Sequence, residues 1–419
     1  MTTTLDREAL HSLLHRPAIR AVFEALDRDG EETRIVGGAV RNALLGRPVT
    51  EVDFTTTGLP EVTTKRARAA GLKAVPTGIE HGTVTVIAEG EPFEVTTLRE
   101  DVETDGRHAV VRFGRDFAMD ARRRDFTINA LSLSRDGRLH DYTGGEADLR
   151  ARRVRFIGDA ATRIREDYLR TLRFFRFHGE YAAGPIDSEG FAAAVRERGG
   201  LARLSRERVR AELLKLLVTR RAVEMIAALA DGGLYGLLVG GVAEHGRLAR
   251  VAAFEEGDGL ADPVRRLAAL AVMTVEDAER LREALRLSND EQKRLAAYGT
   301  LVPALKTWAL PLDTLAIRRL VAEHGTESVA DALAAIRGEP RPILRDDALP
   351  ALQRFRSGEE PLPAFPLRGG DLIAGGLPPG PRVGTLLEEA RRAWLAEGCP
   401  SDEAARDRLL ARTLDHARA

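Results

Sequence analysis

Between Ile35 and Thr56 the chain reads IVGGAVRNALLGRPVTEVDFTT, and no other stretch restricts the local fold so tightly. Ile35 and Val36 read as the end of a buried strand. Gly37 and Gly38 follow, and Ala39 to Leu45 reads as a helix. Gly46 falls where a helix C-terminus wants φ above zero, and Pro48 bars continuation. A glycine pair between strand and helix lets backbone N–H groups approach an anion at the helix N-terminus. A second strand then carries Glu51 and Asp53. Side chains two apart on a strand share a face, so these carboxylates converge. A phosphate cradle beside paired carboxylates is what metal-assisted phosphoryl or nucleotidyl transfer requires. Singly, a Gly-Gly turn is ordinary backbone geometry and E-x-D an ordinary solvated face. Together, across one short helix, they point to one site.

The rest of the chain divides by periodicity. TVTVIA (83–88) and FEVTTL (93–98) alternate, with GEP between them reading as a hairpin turn. LSLS (131–134) and Val154 to Ile157 read as further short strands, and helical periods lie at 39–45 and 60–70. This is a mixed α/β unit of ordinary domain size. From about residue 158 strand signals vanish. Helices are expected at 163–178, 188–197, 205–218, 221–231, 262–273, 276–286, 289–299, 311–323 and 326–337, with a last loop feeding one more helix. Ser205 reads as an N-cap, with Val209, Leu213, Leu216 and Leu217 forming an apolar stripe.

Composition narrows the class. No run of about 18 apolar residues occurs, so no membrane-spanning helix is expected. The N-terminal MTTTLDREALHSLLHR has acids and histidines where a secretory signal would be apolar. Cys399 is the single cysteine, which suits a reducing cytoplasm. A net charge of −1 argues against a generic nucleic-acid binder. Arginines nevertheless cluster at 122–124, 150–155, 163–176 and 203–210, so a basic face is consistent with the sequence. Arg outnumbers Lys throughout the chain, so the clusters reflect general arginine usage as well.

Two further motifs carry chemistry. MDARRRDFTINAL (119–131) sets three arginines beside Asp125, Thr127 and Asn129. Guanidinium forks suit triphosphate oxygens, although a solvated basic turn has the same composition. In REDYLRTLRFFRFH (165–178), helical spacing makes Tyr168, Leu172 and Phe175 a core stripe and puts Asp167, Arg170 and Phe174 on another face. Arg173 and Arg176 continue at steps of three. Asp accepts and Arg donates, so the pair complements an amino group beside a ring-nitrogen acceptor. Cytosine and adenine present that pattern; guanine and uracil present the reverse. The plainer reading is an i, i+3 salt bridge between Asp167 and Arg170. His140-Asp141 sits in LHDYTGG without a second His/Asp set and reads as structural.

In order, GGAVRNALLG with its carboxylate strand, RRDFTINAL, DYTGGEADL, EDYLRTLRFFRF and SRERVRAELLKLL resemble the class II tRNA nucleotidyltransferases (CCA-adding enzymes) and bacterial poly(A) polymerases. These are members of the DNA polymerase β-like superfamily. The resemblance covers at least residues 33 to 218, and GPRVGTLLEEARRAWL looks like the C-terminal part of such enzymes. It implies an α/β nucleotidyltransferase head (1–157), a helical neck that meets nucleotide base and RNA (158–235), and an all-α body and tail that hold tRNA (236–419). It implies that Glu51 and Asp53 hold Mg²⁺ and are catalytic. Gly37, Gly38 and Arg41 would contact triphosphate and sugar, and Arg124 with Asp125 the nucleotide. Asp167 and Arg170 would read the base edge, supported by Arg173 and Arg176. Glu94, on the neighbouring strand, is weighed as a third carboxylate. The family usually has D-x-D where this chain has Glu51-x-Asp53, and Asp where it has Asn42.

The implied activity is addition of C, C and A to tRNA 3′ ends from CTP and ATP, by a monomer or homodimer. The competing readings are a poly(A) polymerase or A-only adder, and a non-catalytic RNA-binding homologue suggested by Glu51 and Asn42. GIEHG (78–82) and HGTVTV favour the CCA-adding side.

Overall fold

The computed structural model describes residues 3–78, 80, 82–104, 109–258, 261–337, 339 and 343–418. Ile79 and His81 of GIEHG therefore lie outside the described residues. The chain forms two compact units, Met1–Leu238 and Val239–Ala419. The expected boundary at residue 157 falls within the first.

The first unit is built on a seven-stranded sheet in the order β3-β4-β5-β2-β1-β8-β9. The strands are β1 (Thr33–Val36), β2 (Asp53–Thr56), β3 (Lys73–Gly78), β4 (Thr83–Ala88) and β5 (Glu91–Thr97). A separate hairpin, β6 (Arg99–Thr104) and β7 (Ala109–Phe113), precedes β8 (Ser132–Ser134) and β9 (Leu139–His140). Every neighbouring pair is antiparallel except β2 and β5, which run parallel. Helices α1 (Arg7–Leu14), α2 (Pro17–Leu26), α3 (Gly38–Leu44) and α4 (Pro60–Ala69) belong to this part of the chain. Phe54 of β2 anchors its core, meeting Phe23 edge-on at 5.3 Å and Phe93 at 5.7 Å.

The hairpin turn is Glu89-Gly90, one residue earlier than GEP. Both residues have φ above zero, as a two-residue type I′ turn requires, and the strand already begins at Glu91. Val154 to Ile157 forms no strand. Only Phe126 and Phe156 make an isolated bridge there. Glu51 is not in β2 either, which begins at Asp53. β1 ends opposite Asp53, at Val36. On the other side, the register Asp53–Glu94 carried back two residues reaches Pro92, which has no N–H to donate.

Helices α5 (Phe117–Arg122) and α6 (Gly145–Arg150) follow, then α7 (Ala160–Glu166) and α8 (Leu169–Tyr181). The single helix expected over 163–178 is thus two. Asp167, at φ −154°, breaks it in extended backbone. Helices α9 (Ser188–Arg196), α10 (Arg206–Leu217) and α11 (Ala222–Asp231) match their expected spans closely. Phe126, Phe156, Phe174 and Phe177 form one aromatic cluster with neighbouring centroids 5.0–6.3 Å apart. Phe174 is fully buried there, so it does not share an exposed face with Asp167 and Arg170.

The second unit is helical. Its expected helix at 289–299 continues through Pro303 to Lys306. Within it Asp331 is buried between Arg265 (2.8 Å) and Arg294 (2.5 Å). Among the described residues no helix is long and apolar enough to cross a membrane.

DYTGGEADL is a packing device. The Asp141 carboxylate accepts the N–H groups of Thr143, Gly144, Gly145 and Glu146, which confirms its structural reading. A Cβ on Gly145 would lie 2.2 Å from Thr127 O. Gly145→Ala is therefore expected to destabilise the fold by about 1–3 kcal/mol, the usual range for overpacking. The check is the urea midpoint, which should fall at constant m-value. An unchanged midpoint would show that the Thr127 carbonyl moves aside freely.

Candidate active site

The parallel pairing of β2 with β5 sets Asp53 directly beside Glu94. Both open into a cavity of about 470 Å³ whose wall also includes Arg99, Arg123 and Arg124. Burial pushes the Asp53 carboxyl above its ordinary range. The charges of Glu94 and Glu51 push the same way, and Arg124 opposes them. The charge of Glu51, which precedes β2, is felt at Asp53, but Glu51 is outside the strand and does not line the cavity, whereas Glu94 does.

Arg123 and Arg124 are held by a buried acid one turn earlier. Asp120 accepts from Arg123 at 2.8 and 2.6 Å and from Arg124 at 3.4 and 3.2 Å. Burial alone would raise the Asp120 pKa, but the two guanidiniums hold it below its usual value. Gly37, at φ +70°, takes a backbone conformation that favours glycine, and Arg124 passes it at ordinary contact distance. A Cβ there would sit 3.4 Å from Arg124 Nη1. Gly38 opens α3, and Gly46 after it has φ +62°, as the sequence requires.

Asp125 is placed differently. It is buried and accepts from Arg173 at 2.8 Å, Asn129 at 3.0 Å and the Phe126 N–H at 2.9 Å. Burial works against its ionisation, yet Arg173 and these hydrogen bonds hold its pKa low. Arg173 and Arg176 both reach Glu212 of α10, at 3.8 and 2.6 Å. Arg41 is turned inward as well. It donates to Asn129 Oδ1, to Tyr181 Oη at 2.8 Å and to Asn42 Oδ1, and it stacks over the Tyr181 ring at 4.1 Å. Arg41, Asp125, Arg173 and Arg176 thus form a frame behind the cavity and do not line it. Asn42 fits this frame, accepting from Arg41 while its amide donates to Pro48 O at 3.3 Å.

Asp167 and Arg170 do not pair with one another as an intrahelical bridge would. Asp167 Oδ2 accepts from Arg208 at 2.7 Å and its Oδ1 from the Leu169 N–H at 3.1 Å. Arg170 donates to Glu166 at 2.5 Å, Arg163 O at 3.1 Å and Arg123 O at 3.2 Å. Of the five guanidinium N–H groups, two remain for a ligand, and the Asp167 carboxylate keeps acceptor sites. The contact with Arg123 O brings Arg170 to the backbone of the cavity wall, although neither Asp167 nor Arg170 lines the cavity itself.

Among the described residues no three His, Cys, Asp or Glu side chains already form a metal cage. The oxygen donors of Asp53 and Glu94 nevertheless suit Mg²⁺, which takes one or two carboxylates and fills its octahedron with phosphate oxygens and water. The sequence reading did not single out Arg99, Glu166, Arg208 or Glu212. Arg208 and Glu212 lie 41 and 36 residues from Asp167 and Arg176, a separation no spacing rule reports, whereas Glu166 meets Arg170 at the i, i+4 spacing that helix geometry does report.

Comparison with known proteins gives concordant results. Residues 33–155 match the Poly A polymerase head domain, and residues 185–243 match the probable RNA and SrmB-binding site of polymerase A. The mitochondrial CCA tRNA nucleotidyltransferase 1 of Danio rerio is 38% identical, with 94% of this chain and 90% of that protein covered. The CCA-adding enzyme of Leuconostoc citreum is 31% identical over 89% and 90%. The crystal structure of the Bacillus stearothermophilus CCA-adding enzyme in complex with CTP superposes with TM-score 0.75 at 29% identity, covering 96% of this chain and 98% of that one.

The raised pKa of Asp53 has a stability consequence. A carboxyl with a higher pKa folded than unfolded contributes stability below its unfolded value, and that contribution is lost as pH rises through the folded value. Asp53→Asn is therefore expected to raise the metal-free melting temperature at neutral pH. The gain should be roughly 2–4 °C for each kcal/mol of repulsion removed. It should vanish as pH falls toward the ordinary aspartate value of 3.8. Scanning calorimetry between pH 4 and 8 tests this; a lower melting temperature at neutral pH would contradict the electrostatic reading.

Proposed function

The chain belongs to the CCA-adding tRNA nucleotidyltransferase family, and from that premise we propose that it adds C, C and A to tRNA 3′ ends from CTP and ATP. The observation that carries the chemistry is the register that sets Asp53 beside Glu94 in a cavity walled by Arg123 and Arg124. The choice of CCA addition over poly(A) synthesis rests on relatives named for that activity and matched along nearly the whole chain.

In this reading the RNA 3′-oxygen bonds to the α-phosphorus as the bridging bond to pyrophosphate breaks. Asp53 and Glu94, with Glu51 at the edge, would hold Mg²⁺. When bound it supplies Lewis-acid activation of the hydroxyl and charge neutralisation on the leaving group, in a two-metal scheme. Arg123 and Arg124 neutralise triphosphate oxygens and steer them toward the acids. Asp167 accepts from the exocyclic amino group of cytosine or adenine, and Arg170 donates to the adjacent ring nitrogen. Guanine and uracil would set donor against donor and acceptor against acceptor. Arg208 and Glu166 fix the two readers in that orientation. We assign the reaction to the cytoplasm, where the buried thiol of Cys399 stays reduced, while the zebrafish relative's name carries a mitochondrial address.

A tRNA lacking its 3′ end should gain three nucleotides from CTP plus ATP and then stop. Asp53→Asn should lose more than the ~10–100-fold seen when only supporting partners of a metal site are changed. Sized products on a gel decide it. Long adenosine ladders without use of CTP would establish the poly(A) alternative, and no product in Mg²⁺ or Mn²⁺ the non-catalytic one.

Asp167→Ala and Arg170→Ala should each weaken discrimination against UTP and GTP by about 1–3 kcal/mol, the worth of a paired base contact. Competition kinetics measure it. Unaltered nucleotide choice with a lowered melting temperature would make both residues structural partners of Arg208 and Glu166.

A further inference from the structure

Four arginines from three separate segments converge on the end of α8. Arg47 Nη2 donates to Glu180 O at 3.2 Å, and the same guanidinium reaches the Glu180 carboxylate. Arg220 Nη2 donates to Ala182 O at 3.0 Å. Arg221 N donates to Gly179 O at 3.1 Å, and Arg152 O accepts the Ala183 N–H at 2.9 Å. Arg47 is steadied further by lying 4.8 Å over the Tyr181 ring.

Their charge is only half answered. Glu180 pairs with Arg47, and Glu224 accepts from Arg221 at 3.0 and 2.5 Å. Among the described residues Arg152 has no acidic partner; burial disfavours its charge first, and Arg220, Arg47 and Arg221 push the same way. Arg221 Nη1 is buried and has no hydrogen-bond partner among the described residues. His178 adds no charge, because burial and Arg221 push its pKa down to about 4.

Arg152 also sits where its backbone is least suited to it. It follows α6 at φ +50°, the left-handed conformation that glycine adopts without strain. The chain thus holds a charged side chain at a strained position among like charges. Guanidinium forks match phosphate oxygens bidentately.

We propose that Arg47, Arg152, Arg220 and Arg221 form a phosphate-binding site that grips the RNA backbone apart from the catalytic cavity, which none of the four lines. The site rests on the reading of this chain as an RNA-extending enzyme. Its ligand chemistry is a phosphate, from an RNA strand or from free inorganic phosphate, and we assign it to RNA.

The test is equilibrium binding of a tRNA lacking its 3′ end across a salt series, for the full chain and for Arg152→Gly and Arg220→Gln. Each variant should weaken binding equally for different tRNA sequences and reduce the slope of log K against log salt by about 1. Nucleotide choice and addition at saturating RNA should be unchanged, and Arg152→Gly should melt no lower than the parent. Unchanged salt slopes in both variants overturn the proposal. So does stabilisation by inorganic phosphate that needs these arginines while RNA binding ignores them. A parent protein that binds no tRNA at all would instead overturn the functional reading beneath it.

Discussion

The buried ion pair between Asp125 and Arg173 is the contact on which the first unit turns. Asp125 lies in the segment that delivers Arg123 and Arg124, and Arg173 lies on the helix that starts just after Asp167. Losing Arg173 would leave the buried Asp125 carboxylate only Asn129 and the Phe126 N–H, whereas Arg173 would keep Glu212. From this pair the connections branch. Asn129 links Asp125 to Arg41 of α3, and Glu212 links Arg173 and Arg176 to α10. Residues that family resemblance assigns to the nucleotide thus hold together the motifs that do line the cavity.

That arrangement is the preorganisation a transfer site needs. Both acids rise from paired strands of a packed sheet, and Arg123 and Arg124 are clamped to Asp120 before any substrate arrives. The repulsion that Glu94 and Glu51 exert on Asp53 is an unfavourable term, and it lies where a cation would relieve it. Charge repulsion thus falls at Asp53, while Asp125, Arg173, Arg176 and Arg41 of the frame are hydrogen-bonded.

Much of this was legible in the sequence. The strand–GG–helix–Gly–Pro–strand reading holds because glycine and proline punctuate the backbone by local sterics, and the amphipathic helices follow from their apolar period. The failures are equally physical. The break at Asp167 was hidden because Arg165 to Phe175 keeps a helical period on either side of one extended residue. Glu51 missed the strand because strand ends depend on what the neighbours offer, here Val36 and Pro92. Glu94 could be weighed only loosely, since its parallel pairing with Asp53 spans 41 residues of chain. Partners such as Arg208 and Glu212 required the fold itself.

The aromatic cluster around Phe126 has a bearing on heredity. Its rings come from RRDF, from the segment after DYTGGEADL, and from α8. The module that would perform transfer and the module that would select the nucleotide therefore share one hydrophobic interior. Neither can be exchanged as a cassette between relatives without leaving unfilled volume in the other. Recombination that respects this chain must carry residues from β1 through α8 as a single block, so chemistry and selectivity are inherited together.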